Sequence, residues 1–115
     1  APQMKFDKDE LKVKAGAGVE LAFTNNDPMP MMHNLVVVKP GSRIEIVTAA
    51  ATMGAAGMAN SFVPESDKVL AATPLVLTGN TYKLYFKAPT TPGKYEYICT
   101  YPGHGLTMWG TLVVE

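Results

Sequence analysis

Alternation of apolar and polar residues dominates this chain, and it recurs in short segments of the kind that form half-buried β-strands. Segment 81–87 is the clearest, because Tyr82, Leu84 and Phe86 fall on one face and two lysines lie on the other. Other segments with strand-like patterns are 4–14, 19–25, 35–38, 94–99 and 110–114, with two shorter pieces in 69–77 interrupted by Pro74.

Turn-forming residues separate these segments. Clusters rich in Gly, Pro and Asn occur at 15–18, 25–28, 40–41, 78–80 and 88–93. Short strands with turn signals at roughly 8–12 residue intervals are typical of sandwiches and barrels. The pattern therefore predicts an all-β protein with a Greek-key β-sandwich.

Residues 42–58 break the alternation, since alanine recurs through this stretch. Ser42 and Glu45 have the spacing of a capping box at a helix start. Ile44, Val47 and Ala51 would share one face of that helix. We expect one short helical insertion around 42–58, outside the sheets.

Length, composition and charge limit the number of domains and the classes of partner that this chain can have. The 115 residues suit a single domain, 1–115, and 47% hydrophobic residues can fill its core. Ten basic and ten acidic residues cancel, so nothing favours nucleic acid as a partner. No apolar run in the sequence is long enough to span a membrane, and we expect no signal peptide within it. The single cysteine rules out an internal disulfide.

The chemistry is concentrated in one loop. Cys99, His104 and Met108 have the spacing Cys-x4-His-x3-Met and follow a strand-like segment. Thiolate, imidazole and thioether form a soft set that suits copper better than magnesium or calcium. If the fold brings His33 to the loop, the set becomes that of a blue-copper electron-transfer site, with Met108 as the weak axial ligand.

These motifs resemble the cupredoxins, and most closely the azurins and auracyanins. The resemblance rests on residues 99–104 with Met108, and on Met32-His33-Asn34 upstream. It extends over about 19–115. It departs from azurins in lacking their usual disulfide, and in having Met32 where azurins have glycine.

The resemblance implies an electron-transfer protein with one type 1 copper ion that cycles between Cu(I) and Cu(II). His33, Cys99, His104 and Met108 would be its ligands, with a weak backbone carbonyl from Met32. Asn34 would tie the upstream strand to the cysteine loop. The N–H of Tyr101 would donate to the Cys99 sulfur, whereas Pro102 has no N–H to offer.

The same resemblance suggests how the protein meets its partners. His104 should lie nearest the surface, within an apolar patch where redox proteins dock. The patch would comprise Met29, Pro30, Met31, Pro102, Gly103, Gly105 and Leu106, with Pro40 and Gly41 nearby. We expect a periplasmic or otherwise extracytoplasmic protein, either a monomer or a domain of a larger redox protein.

Other functions remain open at this point. Met29, Met31 and Met32 near His33 could instead bind copper(I) in a chaperone or storage protein. A copper enzyme would need more histidines than the two present. A cysteine–histidine hydrolase would leave His33 and Met108 unexplained, and methionine is a poor zinc ligand. We therefore expect no enzymatic activity.

Overall fold

A computed structural model of the chain describes residues 6, 9–27, 31–105 and 107–115. Within these ranges seven strands and two helices form. They are β1 (Glu10–Val13), β2 (Gly18–Thr24), β3 (Val36–Val38), α1 (Arg43–Ala51), α2 (Ala55–Ala59), β4 (Val69–Ala72), β5 (Thr81–Lys87), β6 (Gly93–Ile98) and β7 (Trp109–Val114).

The strands form two sheets. Five of them lie in the order β1-β7-β6-β3-β4, and β2 pairs with β5 in a second sheet. The β1–β7 pair is parallel and the other pairs are antiparallel. This arrangement confirms the predicted β-sandwich, although the strand-like residues 4, 5 and 7 lie outside the described part of the chain.

Strand β3 lies at the centre of the protein. It pairs with β4 on one side and β6 on the other, and all three of its valines are buried. Val37 faces a core between the sheets that includes Cys99 and Met108. Val36 and Val38 face a smaller core with Ile46 of α1. A strand buried on both faces gives the site a rigid base, since protein interiors are close-packed.

The helical insertion lies where the sequence predicts it, but it consists of two helices rather than one. Helix α1 ends at Ala51, and Gly54 has a positive φ of 61° that breaks the helix before α2. Such a backbone conformation suits glycine because it lacks a Cβ atom.

The predicted apolar face of this helix is wrong for Ile44 and Ala51, which are exposed, whereas Val47 packs against the smaller core as predicted. Ile46 and Ala50 are buried, whereas Ile44 is exposed. Ser42 occupies the N-cap position, but its side chain makes no capping hydrogen bond, and Glu45 pairs with Lys68 instead. The tertiary position of the helix overrides its local pattern, as it commonly does.

Gly110 in β7 provides a test of how closely the side chains of the five-stranded sheet are packed. A Cβ atom there would lie 2.4 Å from the ring of Tyr97, whereas one at Gly18 in β2 would meet nothing within 4 Å. We expect Gly110→Ala to lower the free energy of unfolding by about 1–3 kcal/mol, the usual cost of overpacking. Gly18→Ala should change it by less than about 0.5 kcal/mol. Denaturant titration of both variants checks this, and equal effects would contradict the packing described.

Candidate metal centre

His33 lies just before β3 and is held by its backbone. Its N–H donates to the carbonyl of Val76 at 3.2 Å, and the N–H of Val76 donates back at 2.7 Å. This isolated bridge joins the segment before β3 to the chain after β4. The His33 side chain is fully buried as a result.

Cys99, His104 and Met108 lie on one compact loop between β6 and β7. The N–H of Cys99 donates to the carbonyl of Met108 at 3.0 Å, which closes the loop at its base. The N–H of Met108 donates to the carbonyl of His104 at 2.8 Å, so the two residues share one turn. Gly103 has a φ of 86°, which allows the chain to reverse before His104.

Three donor atoms converge in the space between His33 and this loop. His33 Nδ1 lies 3.2 Å from His104 Nδ1, and Cys99 Sγ lies 3.9 Å and 3.7 Å from those two nitrogens. The point equidistant from all three atoms is about 2.1 Å from each, close to the bond lengths of a transition metal to nitrogen and sulfur. The residues therefore fit a single metal ion without rearrangement.

Burial shifts the pKa values of two of these donors. Desolvation raises the pKa of the Cys99 thiol to about 11, although hydrogen bonds from the backbone N–H groups of Asn34 and Tyr101 oppose the rise. Desolvation, assisted by His33, lowers the pKa of His104, so its imidazole is neutral at pH 7. Neutral imidazoles and a sulfur that binds as thiolate are the ligands that copper accepts.

Met108 belongs to the same part of the core. Its side chain is 2% exposed and lies in the apolar cluster that contains Cys99. The sequence-based assignment of Met108 as the axial ligand agrees with this location.

The Asn34 side chain ties the segment before β3 to the cysteine loop, as the resemblance implies. Its Oδ1 accepts from the N–H of Thr100 at 2.8 Å, and its Nδ2 donates to Thr100 Oγ1 at 2.8 Å. Nδ2 also donates to the carbonyl of Ser61 at 2.8 Å. The side chain is fully buried, and these three bonds satisfy it.

Sequence reasoning missed one donor to the sulfur. The N–H of Tyr101 donates to Cys99 as expected, but the N–H of Asn34 does so as well. Nothing in the sequence shows that the backbone after His33 faces a cysteine 65 positions later, because this contact depends on the pairing of β3 with β6.

A second missed residue is Asp27. Its Oδ2 lies 2.8 Å from His33 Nε2, on the side of the ring away from the donor cluster, and both side chains are buried. Asp27 lies in the run Asn25-Asn26-Asp27-Pro28, which has the composition of an ordinary turn. The only signal in the sequence is that Asp27 lies six residues before His33, and this spacing alone does not indicate a contact.

Arg43 of α1 supports the ligand loop from outside. Its Nη1 donates to the carbonyl of Gly105 at 2.9 Å, and its guanidinium lies 4.4 Å from the centre of the Trp109 ring. Trp109 thus packs against a cation. A Cβ atom at Gly105 would lie 2.4 Å from Val47 of α1, so the helix and the loop are in close contact.

The surface near His104 is only partly described. His104 is 3% exposed, while Pro102 and Gly103 beside it are exposed and Met31 is half-buried. Gly105, which was predicted to belong to the apolar docking patch, is buried instead. Met29, Pro30 and Leu106 lie outside the described residues, so the rest of the patch stays a prediction. Among the helices that the structure describes, none is long and apolar enough to cross a membrane.

Comparison with known proteins places this geometry in a family. The family described as copper binding proteins, plastocyanin/azurin family, matches residues 1–115. Auracyanin-A of Chloroflexus aurantiacus is 38% identical over 98% of this chain and 68% of its own length. Azurin iso-2 of Methylomonas sp. is 36% identical over 97% of this chain and 90% of its own length. The chain spans about half of auracyanin-B of C. aurantiacus (47%), at 37% identity.

Solved structures agree with these sequence matches. A structure of auracyanin B superposes with a TM-score of 0.87 at 36% identity, covering all of this chain and 84% of the other. A structure of azurin iso-2 gives a TM-score of 0.86 at 30% identity, covering 99% and 92%. The resemblance read from the motifs is thereby confirmed. The chain belongs to the plastocyanin/azurin family of copper-binding proteins, and its histidine, cysteine, histidine and methionine side chains are arranged consistently with a single type 1 blue copper site for electron transfer.

Proposed function

We propose that this chain carries single electrons between redox proteins, with His33, Cys99, His104 and Met108 as the ligands of its copper ion. The observation that supports this most is the buried triangle of two Nδ1 atoms and one Sγ atom, already spaced for one ion. Copper bound there supplies one-electron exchange between Cu(I) and Cu(II).

The residues around the site favour fast electron transfer because they hold the ligands in fixed positions. His33 is fixed by its backbone bridge to Val76, and the Cys99 loop is closed by its own hydrogen bonds. Ligands held on rigid elements keep their positions when the charge of the site changes. Burial of Cys99, His33 and His104 also excludes solvent that would have to reorient with each electron.

The chain's own hydrogen bonds tune the potential. Two backbone N–H groups, from Asn34 and Tyr101, donate to the Cys99 sulfur. Each donor withdraws charge from a thiolate and so raises the reduction potential, because a less electron-rich sulfur stabilises the oxidised metal less. The proposed backbone carbonyl of Met32 would act in the opposite direction, as a weak axial donor.

We further propose that the protein is a carrier and not an enzyme. The whole chain has two histidines, and both belong to the proposed ligand set. No histidine is left for a second copper centre, and four protein ligands leave no open position for a substrate.

The domain organisation, location and partners of this carrier are also part of the proposal. We infer a single cupredoxin domain over residues 1–115 that works outside the cytoplasm, as a monomer or as a domain of a larger redox protein. Partners would dock at the apolar patch around His104, because the exposed Pro102 and Gly103 bring the protein surface close to this ligand.

Replacing Cys99 tests the function directly. We expect copper-loaded wild-type protein to show the intense blue absorption of a thiolate–copper(II) bond, bleached by reduction and restored by oxidation. Cys99→Ser should lose that band and remain folded, because serine is close in size to cysteine. Absorption and circular dichroism spectra measure both. A colourless copper(I) protein that yields its metal to a chelator would instead support a chaperone or storage role.

Replacing Met108 tests the axial assignment. Met108→Gln should keep the blue band and lower the reduction potential, since a harder oxygen ligand favours copper(II). A tenfold change in relative affinity corresponds to about 59 mV, and we expect at least that shift. Met58→Gln is the matched control, because Met58 is exposed, and it should leave the potential unchanged. If Met108→Ala alters neither spectrum nor potential, the assignment is wrong.

The metal-free protein should keep its thiol protonated well above neutral pH. Burial raises the pKa of Cys99 to about 11. At pH 9 about 1% of it should then be thiolate, against about three quarters for an ordinary cysteine. The difference in ultraviolet absorbance between wild type and Cys99→Ser measures the thiolate, and extensive ionisation at pH 9 would contradict the burial described.

A further inference from the structure

A buried carboxylate lies directly behind one of the proposed ligands. Asp27 and His33 are 2% and 0% exposed, and Asp27 Oδ2 lies 2.8 Å from His33 Nε2. The other ring nitrogen of His33, Nδ1, faces His104 Nδ1 and Cys99 Sγ. The His33 ring therefore bridges a carboxylate and the donor cluster.

The side chain of Asn25 holds the segment that carries Asp27 in place. The N–H of Asp27 donates to Asn25 Oδ1 at 3.1 Å. Asn25 Nδ2 donates to the carbonyls of Met31 and Val76, both at 2.8 Å. Val76 is the residue that forms the backbone bridge with His33. One buried asparagine thus fixes the carboxylate relative to the histidine.

We propose that Asp27 is a positioning residue that keeps the proton of His33 on Nε2 and, through its negative charge, stabilises the oxidised state of the site. This inference rests on the proposed function, because it takes His33 Nδ1 as a metal ligand. It adds a determinant of the reduction potential that lies beyond the four ligands.

The hydrogen bond to Asp27 selects the tautomer of His33. A neutral imidazole carries its proton on one nitrogen only, and a proton on Nε2 can donate a hydrogen bond to the Asp27 carboxylate. The lone pair of Nδ1 then points toward Cys99 and His104, ready to bind. Carboxylate–histidine pairs at metal sites orient the ring and raise the basicity of the ligand in this way.

The buried charge of Asp27 affects the two oxidation states differently. Cys99 as thiolate and Asp27 as carboxylate together carry two negative charges, which balance a divalent ion but exceed a monovalent one. In a buried setting this imbalance is weakly screened, so the reduced state is disfavoured.

Asp27→Asn separates charge from geometry. Its side-chain oxygen can still accept from His33 Nε2, but the negative charge is gone. We expect the relative affinity for Cu(I) over Cu(II) to rise at least tenfold, equivalent to about 59 mV in reduction potential. The matched control is Asp9→Asn, which removes an exposed carboxylate and should leave the potential unchanged. An unchanged or lowered potential in Asp27→Asn would overturn the charge role.

Asp27→Ala tests positioning, because it removes the acceptor as well as the charge. Loss of such an outer partner commonly weakens metal binding 10–100-fold. We expect a loss of that size in copper(II) affinity, measured by competition with a chelator, and an altered electron paramagnetic resonance spectrum. Wild-type affinity and an unaltered spectrum would overturn the positioning role.

Metal-free wild-type protein provides a test that needs neither copper nor a variant. Long-range ¹H–¹⁵N correlation spectra distinguish the two tautomers of a histidine. We expect His33 to carry its proton on Nε2, and a proton on Nδ1 instead would overturn the inference.

These outcomes distinguish the inference from the proposed function. A wild-type protein without the thiolate–copper band would refute the function, whatever the tautomer of His33. A blue wild-type protein whose potential is insensitive to Asp27→Asn would refute only the role of Asp27.

Discussion

The pairing of β3 with β6 is the constraint on which the site depends. Val36 lies opposite Ile98, and the same register continued past the strand ends places Asn34 opposite Thr100. The Asn34 and Thr100 hydrogen bonds extend this pairing where the ladder itself stops. His33 and Cys99, 66 residues apart, are brought together by it. A slip of one residue would turn His33 to the other face of the sheet, so the buried valines of β3 also protect the site.

This arrangement places polar groups where a hydrophobic core would otherwise be. Two imidazole lone pairs and a thiol face one another, and a buried group without a partner costs free energy. Each polar side chain behind them has partners: Asn34 binds Thr100 and Ser61, and His33 Nε2 binds Asp27. The two Nδ1 atoms and the sulfur at the centre lie 3.2–3.9 Å from one another, a spacing that also fits one cation. Because the unfolded chain lacks this site, the free energy of metal binding would add to the free energy of folding.

The sequence predicts the strands and the ligand loop well, because both are local patterns. Alternation along β5 correctly places Leu84 and Phe86 at the core, although Tyr82 on the same predicted face is exposed. Cys99, His104 and Met108 are close enough in sequence for one loop to bring them together. Other features depend on contacts that no local pattern contains. Ile46 rather than Ile44 faces the core because of where α1 lies on the sheet. Gly54 divides the helix through a left-handed backbone, although its type alone suggests only a weaker helix. Asp27 looks like a turn residue until the fold turns it toward His33.

The most direct measurement of the central claim is a crystal structure of the copper-loaded protein with anomalous data collected at the copper edge. The account predicts one strong peak per chain, within bonding distance of His33 Nδ1, His104 Nδ1 and Cys99 Sγ and close to the sulfur of Met108. A peak held instead by the methionines before His33, with Cys99 and His104 uninvolved, would contradict it.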